Sequence, residues 1–238
     1  MNVQAALNGN RTDLIVPRMK EEIVTAAQAC VEAGATSIHV HPRDATGAET
    51  LQGQWMDAQV AALRTAVPSI PIGVSTGAWI EPDLAARLAC IRSWTELPDF
   101  ASVNFDEAGC EAVADLLTKR GIFIEAGLCD RGAAERLVAY DNLSGILRVL
   151  IEPQEADYES AIKTVTDIED ALERTGIILP RLLHGVDATV WPLVRTAAER
   201  GYATRMGFED TLLLPDGQPA VSNAELLRAG WSPPPYTR

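Results

Sequence analysis

The chain carries only three histidines in 238 residues. A metal centre built from four or five imidazoles is therefore excluded. Positive charge is also short: 20 Lys and Arg stand against 33 Asp and Glu, for a formal net charge of −13. Such a surface repels phosphate backbones, which argues against nucleic acid as a partner. No apolar run approaches the ~18–20 residues needed to span a bilayer, so no membrane partner is expected. The opening residues, MNVQAALNGNRTD, lack a basic segment followed by a long apolar stretch, and no signal peptide is expected. The four cysteines, Cys30, Cys90, Cys110 and Cys129, form no Cys-x-x-Cys pair. Zinc-ribbon and thioredoxin readings fail on that spacing. Free thiols in a reducing cytoplasm are the expectation.

What is present is ordinary in bulk: 47% hydrophobic and 22% charged residues mark a globular chain. Strand-like runs fall at 2–8, 36–41, 71–75, 100–104, 121–126, 146–151, 181–184 and 203–208. Helical patterns fall at 18–33, 55–67, 82–93, 107–120, 131–140, 155–175, 188–200 and 223–229. Eight such units match the ~250-residue norm of a (β/α)8 barrel. The expected fold is α/β, a single-domain (β/α)8 TIM barrel over residues 1–230, followed by a proline-rich tail at 231–238. An open doubly wound sheet is the alternative, and the lack of G-x-G-x-x-G after the first strand weakens it. Gly34, Gly121 and Gly201 are placed to end helices in the left-handed region. Glu81-Pro82-Asp83 reads as a helix start with proline in the first turn, and Asp187 as the cap of the helix from Ala188.

Chemistry concentrates at the predicted strand ends. His39-Val40-His41 closes the second strand. Residues i and i+2 share a strand face, so both imidazoles project together, as a divalent transition metal requires. Two unrelated histidines would look the same. Arg205-Met206-Gly207-Phe208-Glu209-Asp210 closes the eighth strand. Glu209 offers a third ligand and Arg205 a partner that keeps Asp210 ionised; a capping Asp beside a surface Glu is the alternative. Ser75-Thr76-Gly77 offers hydroxyls and N–H groups for a carboxylate or thioester oxygen, or forms an ordinary turn. Asn104 and Glu125 are read as rim residues of the fourth and fifth strands, and His184 closes the seventh with no settled role.

Together these motifs resemble the β-keto acid cleavage enzyme family, whose founding activity is 3-keto-5-aminohexanoate cleavage. The resemblance runs from Leu7-Asn8-Gly9 to about Leu227. It is carried by Glu32-Ala33-Gly34-Ala35 leading into His39-Val40-His41-Pro42-Arg43-Asp44, by Ser75-Thr76-Gly77, Ser102-Val103-Asn104 and Glu125, and by Arg205 to Asp210 with Ser222-Asn223-Ala224. It implies zinc held by His39, His41 and Glu209. It also implies a β-keto acid and acetyl-CoA as substrates, acetoacetate and a new acyl-CoA as products, and a homodimer or homotetramer. Asp210 matches the general base and Arg205 its partner. Ser75, as a catalytic residue, and Thr76 match residues that bind the keto acid's carboxylate and assist CoA transfer, Gly77 belongs to the same substrate-binding turn, and Asn104 and Glu125 match polar groups lining the same pocket.

The chain departs from the family in a short connection after the fourth strand and a curtailed C-terminal helix. Arg11 stands where aminohexanoate-cleaving members carry a glutamate facing the substrate amine, which implies a neutral or anionic distal group here. Arg11, Arg43 and Arg131 are candidates for binding the CoA phosphates. Two other readings remain: a metal-dependent aldolase or lyase that needs no CoA, and a non-catalytic metal- or ligand-binding barrel.

Overall fold

In the computed structural model, which describes residues 2–231, strands and helices alternate around a barrel. The strands are β1 (Val3–Ala6), β2 (Ser37–Val40), β3 (Ile72–Ser75), β4 (Phe100–Asn104), β5 (Phe123–Leu128), β6 (Ile146–Ile151), β7 (Arg181–Leu183) and β8 (Thr204–Met206). The helices are α1 (Lys20–Glu32), α2 (Gly53–Ala66), α3 (Leu84–Ser93), α4 (Cys110–Lys119), α5 (Arg131–Val138), α6 (Tyr158–Glu173), α7 (Val190–Arg200) and α8 (Asn223–Trp231). All strand pairs are parallel, in the order β7-β6-β5-β4-β3-β2-β1-β8. A bridge between Leu182 and Ala203 joins β7 to β8 and closes the circle. The expected (β/α)8 barrel is the observed fold. Among the described residues, no helix is long and apolar enough to cross a membrane.

Alternation along each strand sorts side chains between two compartments. Val3, Ala5, Ile38, Val40, Ile72, Val74, Ala101, Val103, Ile124 and Ala126 belong to the apolar core shared with the helices. Helix α1 meets them with Ile23, Ala27 and Cys30, spaced four and three apart on one face. The intervening strand residues face the barrel axis, and many are polar: Gln4, Ser37, His39, Ser75, Ser102, Glu125 and Arg205 are all buried. Polar groups buried this deeply must be partnered. Glu125 accepts from Arg148 Nε at 2.5 Å and from Gln4 Nε2 at 3.1 Å, and the Arg148 guanidinium lies 5.4 Å from the centre of the Phe100 ring. This group plugs the barrel below its C-terminal mouth.

Helix termini follow local chemistry. Gly34, Gly121 and Gly201 have φ of 101°, 78° and 70°, so they end α1, α4 and α7 as the sequence implies. Asp83, Asp130 and Asp157 accept a backbone N–H at the starts of α3, α5 and α6. Pro82 therefore precedes the cap of α3 instead of sitting in its first turn. Asp187 does not cap α7, which begins at Val190 after a one-turn 3-10 helix at Asp187–Thr189. It is the only non-glycine residue among those described with a positive φ, 49°, and its carboxylate is used elsewhere. Helix α4 starts at Cys110, not at 107, because Glu107 is held by tertiary contacts. Strand β5 runs two residues past the expected end, so Glu125 lies inside the barrel and not on the rim. Trp231, expected to begin the tail, is the last residue of α8, and the rest of that tail, 232–238, lies outside the described residues. All four cysteines are free thiols.

The approach of β8 to β1 leaves no room at Gly207, where a Cβ would collide with the Ala6 carbonyl. Gly207→Ala is expected to cost about 1–3 kcal/mol of stability through this overpacking, measured by urea denaturation. Unchanged stability would show that this approach is not tight.

Candidate active site

His39 and His41 lie at the C-terminal end of β2, and Glu209 lies in the turn after β8. Strand β1 separates them, with Ala6 in register with His39 and Ala5 with Met206. Small residues on that path bring the three together. Ala6 adds little bulk beside His39, and Gly9, at φ 53°, has no Cβ to displace the Glu209 side chain that lies against it. The two Nε2 atoms are 3.1 Å apart. His41 Nε2 is 3.4 Å from Glu209 Oε1, and His39 Nε2 is 3.7 Å from Glu209 Oε2. These are the only three His, Cys, Asp or Glu residues among those described that cluster as a metal site.

The residues fit a divalent metal. Glu209 Oε2 is buried and has no hydrogen-bond partner among the described residues. Two nitrogens facing each other at this distance suit ligation of one ion at ~2.0–2.1 Å each, and a His-His-carboxylate set leaves a position open for substrate. The outer nitrogen of His41 is already oriented: Nδ1 is 2.5 Å from Glu49 Oε1, which also accepts from Trp79 Nε1 at 3.3 Å. Asn8 clamps the His41 backbone, accepting its N–H and donating to its carbonyl, both at 2.9 Å. Burial opposes charge on both imidazoles. It dominates at His39, whose pKa falls to about 4, whereas at His41 Glu209 and Glu49 outweigh it and hold the pKa near 9. Burial would raise Glu209, but Arg205 and the two imidazoles outweigh it and hold the carboxyl well below its usual range.

Asp210 follows Glu209 directly and is fully buried. Arg205 serves both: Nη2 donates to Glu209 Oε1 at 2.7 Å and to Asp210 Oδ1 at 2.8 Å, and Nε donates to Asp210 Oδ1 at 3.2 Å. Asn223, at the start of α8, accepts the Phe208 N–H at 2.6 Å and donates to the Leu7 carbonyl at 3.1 Å, which ties this turn to β1. Arg11 closes the same turn from outside. It donates to the Glu209 and Asp210 carbonyls, each at 3.1 Å, and pairs with Asp187.

Of the remaining expected site residues, all but Glu125 lie in or beside the loops that follow the strands. Ser75 ends β3 and accepts the Gly77 N–H at 3.3 Å, and Thr76 donates to the Ser102 carbonyl at 2.6 Å. Gly77 has no side chain, and the half-exposed Trp79 ring lies against it and stacks on His41, 6.3 Å between centres. Asn104 ends β4 and donates to Glu107 at 3.3 Å. Glu107 also accepts the Ala78 N–H at 2.9 Å and pairs with the buried Arg87 at 2.8 Å. Glu125 is not with this group; it belongs to the plug below. Arg43 donates to the Gly9 carbonyl at 2.5 Å and the Gly47 carbonyl at 3.1 Å, and Arg131 pairs with Glu135 at 2.8 Å. Glu49, Trp79, Glu107 and Glu152 were not found from sequence, because each reaches the site from a loop whose path only the fold defines. Proximity to a strand end was the one usable signal, and it marks only Glu152, one residue beyond β6.

The fold and this rim define a (β/α)8 barrel with a His-His-Glu metal-ligand set and an adjacent buried carboxylate. The chain belongs to the beta-keto acid cleavage enzyme family, which it matches over residues 1–230. It is 25% identical over 225 residues to the 3-keto-5-aminohexanoate cleavage enzyme of Fusobacterium nucleatum, covering 89% of this chain and 81% of that protein. The enzyme of the same name from Acetoanaerobium sticklandii is 26% identical over 225 residues, with coverage of 89% and 82%. Among solved structures, the ternary complex of ObcA with a C4-CoA adduct and oxalate superposes with a TM-score of 0.73 at 16% identity. That match covers 90% of this chain and 62% of ObcA, so the chain spans less than two thirds of that protein and the likeness shows the fold.

Removing the carboxylate behind His41 tests the ligand set. Glu49→Gln is expected to weaken divalent-metal binding roughly 10–100-fold without unfolding the protein, as loss of a partner behind a metal-ligating histidine does. Competition titration against a chromogenic chelator reads it, and unchanged affinity would show that Glu49 does not support the site.

Proposed function

We propose that the chain is a zinc-dependent β-keto acid cleavage enzyme, converting a β-keto acid and acetyl-CoA to acetoacetate and a new acyl-CoA. The observation that carries this reading is the juxtaposition of His39, His41 and Glu209 with Asp210, with Arg205 holding both carboxylates. Zinc held by the three ligands would supply Lewis acidity toward a keto oxygen. Asp210, within reach of the same space, takes a proton from the carbon next to the ketone. The resulting carbanion attacks the acetyl thioester and expels the CoA thiolate. The thiolate then attacks the original keto carbon, and the bond to that carbon breaks. Asp210 returns its proton to the departing acetoacetate. Ser75, with its hydroxyl proton uncommitted, and the turn through Thr76 and Gly77 bind the carboxylate, and Asn104 contributes from β4. Glu125 supports the pocket from below.

Arg11, which holds the turn carrying Glu209 and Asp210, is read as disfavouring an ammonium group, so the distal end of the substrate is neutral or anionic. Arg43, Arg11 and Arg131 are offered as candidates for binding the CoA phosphates. A homodimer or homotetramer is supported by exposed Leu14, Ile15 and Val221, which line a groove of about 510 Å3 with Val16 and Phe208. The unpaired cysteines support a cytoplasmic location. One observation favours a second reading, an aldolase or lyase without CoA. Only five residues, 105–109, join β4 to α4, which leaves little chain to cover a CoA subsite.

Zinc analysis and a β-keto acid panel assayed with and without acetyl-CoA separate the readings. Acetoacetate that forms only with acetyl-CoA supports the first, and cleavage without it supports the second. Asp210→Asn is expected to lower kcat by about 10²–10⁴-fold, the usual contribution of a general base, with zinc content unchanged. A wild-type protein that is folded, metal-free and inactive would overturn the assignment. Arg11→Glu is expected to shift preference from dicarboxylic toward amine-bearing keto acids in kcat/KM comparisons, and an unchanged ranking would remove Arg11 from substrate selection.

A further inference from the structure

His184, the third histidine, lies one residue past β7 and is buried. Its backbone N–H is fixed by the Ile151 carbonyl at 3.2 Å. Its ring stands between two carboxylates from different strand ends: Nδ1 hydrogen-bonds the Gly185 carbonyl at 3.2 Å and lies 3.4 Å from Asp210 Oδ1, and Nε2 lies within ion-pair distance of Glu152 Oε2, 3.5 Å. Burial and Arg205 oppose a charge on this ring, but Asp210 and Glu152 outweigh them and hold its pKa near 9. Glu152 reaches the ring only because β5 carries Gly127 beneath it. A Cβ there would lie 2.5 Å from Glu152 Oε1 and from Asn104 Oδ1.

The partners of Asp210 are unevenly divided. Arg205 Nε, Arg205 Nη2 and His184 Nδ1 all address Oδ1. Oδ2 is buried and has no partner among the described residues. A carboxylate turns readily about its terminal torsion, whose wells are broad. Of the two Arg205 donors on Oδ1, Nη2 is shared with Glu209, and only Nε at 3.2 Å serves Asp210 alone. The His184 Nδ1 group, shared with the Gly185 carbonyl, approaches Oδ1 from a second direction and biases which oxygen faces the mouth.

We infer that His184, oriented by Glu152, is a positioning residue for Asp210: it holds Oδ1 so that Oδ2 is the atom presented to the reacting carbon. This rests on the reading of Asp210 as the general base. In the zinc-loaded full-length protein, His184→Leu removes the donor and retains bulk. His184→Asn retains an amide N–H near the Nδ1 position. Glu152→Gln removes the anion that orients the ring. His184→Leu is expected to lower kcat roughly 10–100-fold with KM within about twofold, the effect of misplacing a reacting group. His184→Asn should recover most of that loss, and Glu152→Gln should fall between the two. Crystal structures of His184→Leu and His184→Asn should show the Asp210 carboxylate turned in the first and retained in the second.

Wild-type kcat and an unturned Asp210 in His184→Leu would overturn the inference. So would a rise in KM alone, which would make His184 a substrate contact, or a His184→Asn variant no better than His184→Leu. If the wild type cleaves no β-keto acid, the proposed function fails separately, and the Asp210 conformation in the two variants still decides the positioning role. Melting temperatures identify any variant whose loss is simple unfolding.

Discussion

A buried carboxylate, Asp210, and a partly buried one, Glu209, stand side by side at one end of this barrel, and that arrangement depends on Arg205. Carboxylates removed from water require a partner of opposite charge and well-aligned hydrogen bonds. The guanidinium fork supplies both, donating to Glu209 and Asp210 from one rigid group. Around it the structure divides two negative charges between two tasks. Glu209 turns toward His39 and His41, whereas Asp210 turns toward His184. The surrounding loops hold that division in place, through Asn223 inside the turn and Arg11 outside it.

The barrel is arranged to tolerate this concentration of charge. Its axis is polar where many barrels are filled by branched apolar side chains. The Glu125, Arg148 and Gln4 group closes it below the site and leaves the wet chemistry to the mouth. Small residues do the opposite work along β1 and β8. Ala6, Gly9 and Gly207 remove bulk where Glu209 must pass from its own strand to the histidines two strands away. The mouth is then narrowed by side chains that answer to one another: Glu49 links His41 to Trp79, and Glu107 links the turn after β3 to Asn104 and Arg87.

Much of this was readable from local pattern. The eight βα units are visible because strands that face helices carry apolar residues at every second position. The His39–His41 pair follows from the same alternation, with Val40 turned to the helices as expected. Arg205, Glu209 and Asp210 sit within one short segment, so their partnership was also readable. The expectations that moved share a cause. Glu107 and Asp187 are good helix-start residues by local propensity, yet each is held by a distant arginine, Arg87 and Arg11, and tertiary pairing overrode the local preference. Glu125 shifted from rim to interior because strand length depends on pairing with neighbours, and β5 is extended by β4 and β6.

The sequence by itself determined the strand–helix rhythm, the shared face of the two histidines and the link between Arg205 and its carboxylates. Each of these depends on residues within a few positions of one another. Only the tertiary structure decided that β2 and β8 meet across β1, that Glu49 stands behind His41, and that His184 lies between Glu152 and Asp210. Those relations depend on strand register, barrel closure and missing side chains at glycine, none of which a local pattern encodes. The three histidines show the division most clearly: two are joined by their spacing, and the third is assigned a place only by the closing of the barrel.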